Sequence, residues 1–154
     1  MNRAIRKVAV IGSGVMGSRI AAYFAGIGVE MLLLDIIPGA PDEAEKAKGL
    51  TLESPQVRNR IVNNALQTAL KARPAAFYTK DAVKHITTGN IEDDLPRIAD
   101  CDWVIEVVVE NLRVKQQLFE RIEKYRKPGT LVTSNTSGIP IRLMSEGRTE
   151  DFRR

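Results

Sequence analysis

The chain of 154 residues is 44% hydrophobic and 27% charged, which is enough apolar content for one compact domain. Its net charge of +4 fits an anionic partner, but aromatic residues make up only 5% and basic residues alternate with acidic ones, so we expect no nucleic-acid partner. The longest apolar run, residues 29–37, is interrupted by Glu30 and Asp35 and is too short to cross a bilayer, so we expect no membrane partner. The single cysteine, Cys101, favours a reducing cytoplasm.

The first third of the chain predicts a strand, a helix and a second strand. Apolar residues predict strands over 7–11 and 31–34, with a helix over 17–25 between them. Gly26 and Gly28 end that helix, since glycine readily adopts the left-handed conformation found at helix C-termini. Residues 38–49 are small and polar, and they predict a loop or a frayed helix.

A long amphipathic helix is predicted over residues 55–72. Ser54 and Pro55 form a suitable N-cap and first-turn pair, and Pro74 follows the last turn. Apolar side chains recur at helical spacing between these limits: Val57, Ile61, Val62, Ala65, Leu66, Ala69 and Leu70.

The remainder of the chain continues the alternation of strands and helices. Strands are predicted over 85–88, 103–109 and 131–134, although Glu106 interrupts the second of these apolar runs. A short helical or turn segment is predicted over 90–99, and a helix with one apolar face over 114–125, ended by Pro128 and Gly129. This alternation predicts an α/β fold, a doubly wound and mostly parallel (Rossmann) sheet with helices on both faces.

The turn after the first strand carries the pattern G-x-G-x-x-G, as Gly12-Ser13-Gly14-Val15-Met16-Gly17. In such a motif the first glycine permits a tight turn, the second lets the backbone approach a pyrophosphate, and the third lets the helix pack close to the sheet. The pyrophosphate then lies at the positive end of the helix. The position between a strand and a helix gives the pattern a specificity that three glycines alone lack.

Asp35 provides a second and independent indication of a dinucleotide site. It ends the second strand, eighteen positions after Gly17, where a carboxylate accepts hydrogen bonds from the hydroxyls of the adenosine ribose. The same carboxylate repels a 2′-phosphate. The sequence therefore predicts NAD as cofactor rather than NADP, and it indicates no metal site.

Two further segments resemble the 3-hydroxyacyl-CoA dehydrogenase family, and the resemblance covers nearly the whole chain. Residues 106–115, EVVVENLRVK, are similar to the family's E-x-x-x-E-N-x-x-x-K segment. Residues 134–138, SNTSG, are similar to its S-N-T-S turn. Details of residues 32–36 and 105–111 look closest to bacterial fatty-acid β-oxidation members, in which a hydratase domain can be fused downstream.

The resemblance implies roles for residues that physical reasoning alone would leave as surface charges or turn residues. It implies that Glu110 and Lys115 bind the ribose on the nicotinamide side, and that Ser137 lies between the nicotinamide and the 3-oxygen of the substrate, in a supporting catalytic role. The remaining cofactor contacts are then predicted at Ser13, Val15, Met16 and Asn135.

The resemblance also implies a site for coenzyme A. Residues 55–80 match a helical hairpin that contacts coenzyme A in the family, and Lys71 aligns with the lysine that binds it. Arg73 could serve equally well. Without the family, Lys71 is an ordinary solvated lysine at a helix end.

Proton transfer from the substrate hydroxyl belongs, in the family, to a histidine in a G-x-H-F-F-N-P segment beyond the S-N-T-S turn. We expect residues 1–154 to form the NAD-binding domain, ending before that histidine and before the C-terminal helical domain. His85, the one histidine present, is predicted to be structural. The fragment is therefore expected to bind NAD without turning over L-3-hydroxyacyl-CoA, and to dimerise through an unpaired sheet edge or an apolar face.

Two alternatives remain open at this point. The chain could be the nucleotide-binding domain of another two-domain NAD-dependent dehydrogenase, acting on a 3-hydroxy acid without coenzyme A. It could also be a non-catalytic NAD-sensing module.

Overall fold

The computed structural model describes residues 4–153, so the predicted domain limits at 1 and 154 lie outside the described residues. Its centre is one parallel sheet of five strands: β1 Lys7–Ile11, β2 Glu30–Asp35, β3 Ile86–Asn90, β4 Trp103–Glu106 and β5 Leu131–Ser134. Their order across the sheet is β3-β2-β1-β4-β5. The chain thus adds β2 and β3 on one side of β1, and then crosses over to add β4 and β5 on the other side of β1.

Helices connect the strands on both faces of this sheet. In chain order they are α1 Val15–Gly26, α2 Glu43–Ala47, α3 Pro55–Arg58, α4 Arg60–Lys71, α5 Ile91–Asp94, α6 Leu112–Tyr125, α7 Ile141–Met144 and α8 Glu150–Arg153. Two 3-10 helices, Lys80–His85 and Leu95–Asp100, precede β3 and β4. The doubly wound parallel sheet predicted from the sequence is confirmed.

The core lies in two layers because neighbouring residues of a strand point to opposite faces of the sheet. Val8 and Val10 of β1 pack with α1 and α4 on one face. Ala9 and Ile11 pack with α6 and the 3-10 helix before β4 on the other. Cys101 is fully buried in this second layer, and burial raises the pKa of its thiol to about 11. A buried, protonated thiol acts as a small hydrophobic residue.

The order of the strands reverses between β1 and β4, and this reversal opens a crevice. The two strands run in parallel register, with Ile11 opposite Glu106, and both then leave the sheet at the same edge. In open α/β sheets, ligands bind at the carboxyl ends of the strands, where the connections turn away in opposite directions. This edge therefore holds the predicted cofactor residues.

The predicted helix over 55–72 is interrupted in the structure. It divides at Asn59 into α3 and α4, and the Asn59 side chain accepts a hydrogen bond from Nδ2 of Asn90, 3.0 Å away, at the end of β3. Pro55 stands in the first turn as predicted, but Ser54 makes no side-chain cap and its Oγ accepts from the Thr51 N–H instead. The tertiary contacts with β3 thus override the continuous apolar pattern.

Other boundaries differ by a few residues or show elements that the sequence did not reveal. Within the predicted hairpin of 55–80, α-helix ends at Lys71, residues 72–79 contain none, and the return segment is the 3-10 helix Lys80–His85. Residues 38–49 contain α2, which begins with a capping box between Asp42 and Glu45. After β5, α7 and α8 appear where no helix was predicted.

Within residues 4–153, no helix combines the length and the apolar character that a membrane crossing requires.

Candidate cofactor site

The three glycines of the loop after β1 have three different surroundings. A Cβ on Gly12 would overlap the carbonyl oxygen of Val107, and its φ of +105° is disfavoured for other residues. A Cβ on Gly17 would overlap the carbonyl oxygen of Gly12. Around Gly14, in contrast, no atom lies within 4 Å of an added Cβ. Gly12 and Gly17 are therefore required by packing, whereas Gly14 faces open space over which a ligand can approach.

The start of α1 offers unpaired backbone donors at this open space. Gly14 is the N-cap, no side chain caps the helix, and its first turn contains no acidic residue. The first amides of a helix have no partner within it, and the helix dipole adds partial positive charge there. These donors suit the pyrophosphate of a dinucleotide.

Asp35 lies beside this loop, as the spacing predicted. Its Oδ2 accepts hydrogen bonds from the Ser13 backbone N–H, 2.7 Å away, and from the Ser13 hydroxyl. Its Oδ1 accepts from the backbone N–H of Ile36, also at 2.7 Å. The carboxylate is half-buried and is held at the rim of the crevice by these three donors.

A pocket of about 720 Å³ extends from Asp35 across the end of β1. Its walls are largely apolar, with Ile36, Ile91 and Val109 among them, and Glu92 and Arg121 stand at the rim, paired at 2.9 Å. An apolar slot with a carboxylate at one end has the composition that an adenosine requires, since the base packs against apolar walls while the ribose hydroxyls need an acceptor.

A buried ion pair lies under the other side of the crevice, at the end of β4. The Lys115 amine lies 2.8 and 2.9 Å from the two carboxylate oxygens of Glu106, and both side chains are 0% exposed. Glu106 also accepts from the Val108 N–H at 2.7 Å and from the Ser134 hydroxyl. This cluster joins the ends of β4 and β5 to the first turns of α6.

Glu110 continues this network to the surface. One of its oxygens lies 3.3 Å from the Lys115 amine, and the other accepts hydrogen bonds from the Thr136 hydroxyl and from the N–H groups of Ser137 and Gly138. The Thr136 hydroxyl, with the Gly138 N–H next in effect, lowers the pKa of Glu110 to about 2. An ionised Glu110 thus fixes the turn that follows β5.

The turn and the glycine loop face each other across a second pocket of about 370 Å³. It is lined by residues of both segments: Gly14, Val15, Met16, Val107, Val108, Glu110, Asn135 and Ser137. The structure therefore brings Glu110, Asn135 and Ser137 to the same opening as the glycine loop. Gly14, Val107 and Val108 line both pockets, which therefore adjoin at the crevice.

Lys115 does not reach this opening directly. Its side chain is fully buried between Glu106 and Glu110. Of the two residues predicted to bind the nicotinamide-side ribose, Glu110 and Lys115, only Glu110 lines the crevice. Glu106, which opens the E-x-x-x-E-N-x-x-x-K segment but was given no role from the sequence, is the residue that sequence reasoning missed. Glu106 lies nine positions before Lys115, which was the available signal. That spacing indicates an ion pair only when the positions of β4 and α6 are known.

Lys71 and His85 lie away from the crevice. Arg60, at the start of α4, bonds the Ala40 carbonyl near the carboxyl end of β2, and α4 runs from there toward the opposite edge of the sheet. Lys71 is exposed at the far end of α4. At ~1.5 Å per residue it lies about 16 Å along the helix axis from Arg60. His85 ends the 3-10 helix before β3 and so also lies at the opposite edge.

The residues present therefore fit a dinucleotide on structural grounds. The loop at Gly14 has room that a side chain would fill, the adjacent amides lack partners, and the slot beside Asp35 is apolar. These features match the two nucleotide halves and the pyrophosphate between them.

Comparison with known proteins gives the same assignment. Residues 7–153 match the family model described as 3-hydroxyacyl-CoA dehydrogenase, NAD binding domain. The chain is 49% identical over 153 residues to a probable 3-hydroxyacyl-CoA dehydrogenase of Bacillus subtilis, covering 99% of this chain and 19% of that protein. It is 46% identical over 151 residues to one of Deinococcus radiodurans, covering 97% and 39%.

Solved structures show the same relationship. FadB2 of Mycobacterium tuberculosis superposes with a TM-score of 0.64 at 30% identity, over 92% of this chain and 45% of that one. The 3-hydroxybutyryl-CoA dehydrogenase of Escherichia coli gives a TM-score of 0.65 at 28% identity, over 96% and 28%.

The chain thus spans about a fifth of the B. subtilis relative and two fifths of the D. radiodurans relative. These alignments cover 99% and 97% of this chain. The chain belongs to the NAD-binding domain family of the 3-hydroxyacyl-CoA dehydrogenases.

Proposed function

We propose that this domain supplies the cofactor half of an enzyme that oxidises L-3-hydroxyacyl-CoA to 3-oxoacyl-CoA in fatty-acid β-oxidation. The observation that carries the proposal is the crevice at the strand reversal, where the slot at Asp35 and the pocket at Ser137 adjoin at Gly14. A relative in Rickettsia felis, 40% identical over 99% of the chain, is described as a putative trifunctional enzyme of a fatty acid oxidation complex. That description supports the pathway and a fusion to further domains. A hydratase among those domains is implied by the sequence resemblance.

Each end of the crevice has its own binding role. Asp35 would accept a hydrogen bond from a hydroxyl of the adenosine ribose, and the amides at Gly14, Val15 and Met16 would bind the pyrophosphate. Glu110 would accept a hydrogen bond from a hydroxyl of the nicotinamide ribose. Lys115 acts from below by holding Glu110, which revises its predicted direct bond to the ribose into an indirect one.

Asn135 and Ser137 stand where the substrate meets the cofactor. Bound NAD supplies the hydride acceptor, and the protein supplies orientation and a base. Ser137 is exposed at the crevice, and its N–H is bonded to Glu110, so its position is fixed while its hydroxyl remains available to the 3-oxygen of a substrate. By binding the 3-oxygen, the serine thereby orients the bond between carbon 3 and its hydrogen, which is broken in the oxidation.

We propose that the proton acceptor lies outside residues 4–153, as the family resemblance implies. Among the residues that line the two pockets of the crevice there is no histidine, and His85 lies at the opposite edge of the sheet. On this proposal the domain binds the cofactor, and the base is the histidine that the family resemblance implies.

Contacts with coenzyme A are proposed from the resemblance, whereas a homodimer and a cytoplasmic location are proposed from the residues themselves. Lys71 or Arg73 contacts coenzyme A only if the acyl-CoA extends along α4 to its C-terminal end. A homodimer is favoured by the exposed edge of β5, beside which Leu131, Ile141 and Phe152 line a groove of about 240 Å³. A cytoplasmic location fits the single reduced Cys101.

Calorimetric titration of the 154-residue chain with NADH and NADPH tests the cofactor assignment. We expect NADH to bind more tightly than NADPH, and Asp35→Ala to weaken NADH binding by at least about tenfold, the loss expected for hydrogen bonds to a charged group. Asp81→Ala, an exposed aspartate at the opposite edge, is the matched control. Absence of NADH binding, or an unchanged affinity in Asp35→Ala, would contradict the assignment.

The activity is tested in the complete enzyme. Oxidation of L-3-hydroxybutyryl-CoA with NAD should fall in Ser137→Ala by about a hundredfold if its hydroxyl orients the substrate oxygen. Its affinity for NADH should change little. An unchanged rate would remove Ser137 from the catalytic machinery.

A further inference from the structure

The Ser13 side chain makes a contact that the glycine motif does not explain. Ser13 occupies a variable position of the motif, yet it is only 2% exposed and its hydroxyl donates to Oδ2 of Asp35. The backbone N–H of the same residue donates to the same oxygen at 2.7 Å. The loop therefore holds the end of β2 by a side chain as well as by its backbone.

These bonds restrict the direction of the Asp35 carboxylate. A carboxylate has about four acceptor positions on its two oxygens. Ser13 takes two on Oδ2, and the Ile36 N–H takes one on Oδ1. The acceptor position left over is on Oδ1, and the carboxylate cannot rotate without breaking a bond to Ser13.

We propose that Ser13 is a specificity-determining residue that selects NAD over NADP by fixing the orientation of the Asp35 carboxylate at the apolar slot. The locked carboxylate presents a fixed acceptor to a ribose hydroxyl, which favours NAD. A 2′-phosphate would meet the same negative charge at close range and could not displace it without breaking the Ser13 bonds. Selectivity thus depends on the rigidity of the aspartate as well as on its charge.

Removing the hydroxyl should loosen this arrangement without removing the charge. In Ser13→Ala the backbone N–H still bonds Oδ2, but the carboxylate can turn away from the pocket more easily. We expect NADH affinity to fall about fivefold, the usual effect of one lost hydrogen bond, while NADPH affinity stays constant or rises. The ratio of the two affinities therefore falls.

A double-mutant cycle separates this positioning role from a direct contact with the cofactor. The inference rests on the proposed role of Asp35, so NADH and NADPH are titrated calorimetrically into the wild type, Ser13→Ala, Asp35→Ala and the double variant. If Ser13 acts through Asp35, Ser13→Ala weakens NADH binding in the wild type and has no further effect in Asp35→Ala.

Ser145→Ala is the matched control, because Ser145 is a buried serine whose hydroxyl bonds a carbonyl, that of Ile141, away from the crevice. It should leave both affinities unchanged. An unchanged affinity ratio in Ser13→Ala, or a further loss of NADH binding when Ser13→Ala is added to Asp35→Ala, overturns the inference. An unchanged NADH affinity in Asp35→Ala overturns the proposed cofactor role instead, so the two failures are distinguishable.

Discussion

The two halves of the crevice are built by different physical means. On the adenosine side, the glycine loop depends on backbone conformation and on the absence of side chains at Gly12 and Gly17. On the nicotinamide side, Glu106 and Lys115 form a fully buried ion pair that supports Glu110 and the turn at Ser137. The glycine loop and Asp35 come from one strand-helix-strand unit, whereas the nicotinamide side requires the ends of β4 and β5 to meet the start of α6.

From this difference we expect the glycine loop to tolerate little change in shape and the buried ion pair little change in charge. A loop of glycines fails when an atom is added to it. A buried ion pair fails when one partner is removed, because the remaining charge is left without compensation. Substitutions of each kind can therefore test whether the two halves are independent.

The largest effect should come from breaking the buried pair. Lys115→Ala leaves the Glu106 carboxylate buried without a counter-charge and should lower the free energy of unfolding by about 3–5 kcal/mol. Urea unfolding at pH 7 measures this. Lys46→Ala, which removes an exposed pair with Glu43, should cost under about 1 kcal/mol. Equal effects of the two substitutions would show that the buried network does not stabilise the fold.

Adding a methyl group to the packed glycine should give the next largest effect. In Gly17→Ala the new Cβ overlaps the Gly12 carbonyl, so α1 must shift and the free energy of unfolding should fall by about 1–3 kcal/mol. Urea unfolding again provides the measurement. Unchanged stability would mean that α1 has more freedom against β1 than this packing allows.

Gly14→Ala should separate binding from stability. Its φ is −57° and no atom lies within 4 Å of the added Cβ, so stability should stay constant or rise by about 0.5 kcal/mol. The same methyl group occupies space needed by the pyrophosphate, so NADH affinity in calorimetry should fall by about tenfold or more. Loss of stability together with affinity would contradict this separation.

The smallest effect concerns Glu110 and pH. Its pKa in the folded protein, about 2, lies below the ordinary value of 4.5, so its contribution to stability is complete above pH 4.5 and is lost as the pH falls towards 2. The difference in unfolding free energy between the wild type and Glu110→Gln should therefore shrink over that range. A difference that stays constant down to pH 2 would show that the ionised carboxylate is not what holds the turn.

The sequence predicted the adenosine half in detail because its determinants are local. Gly12, Gly14, Gly17 and Asp35 lie within one strand-helix-strand unit, and the spacing of that unit fixes their relative positions. The five strands and the helices α1, α4 and α6 followed from apolar periodicity for the same reason.

The nicotinamide half could be predicted only through the family resemblance, and then only in part. Glu106 looks like a defect in an apolar strand until Lys115 and Ser134 are placed beside it. The break at Asn59 likewise depends on Asn90, which is 31 positions away. The strand predicted to reach Val109 ends at Glu106, because Val107–Val109 leave the sheet and line the crevice instead.

The central claim is that one cofactor spans both halves. Amide NMR shifts measured on adding AMP, nicotinamide mononucleotide or NAD test it most directly. AMP should shift the amides of Ser13 and Ile36, nicotinamide mononucleotide those of Asn135 and Ser137, and NAD both sets together with Gly14. NAD shifts that are confined to one half, or that lie outside the crevice, would contradict the claim.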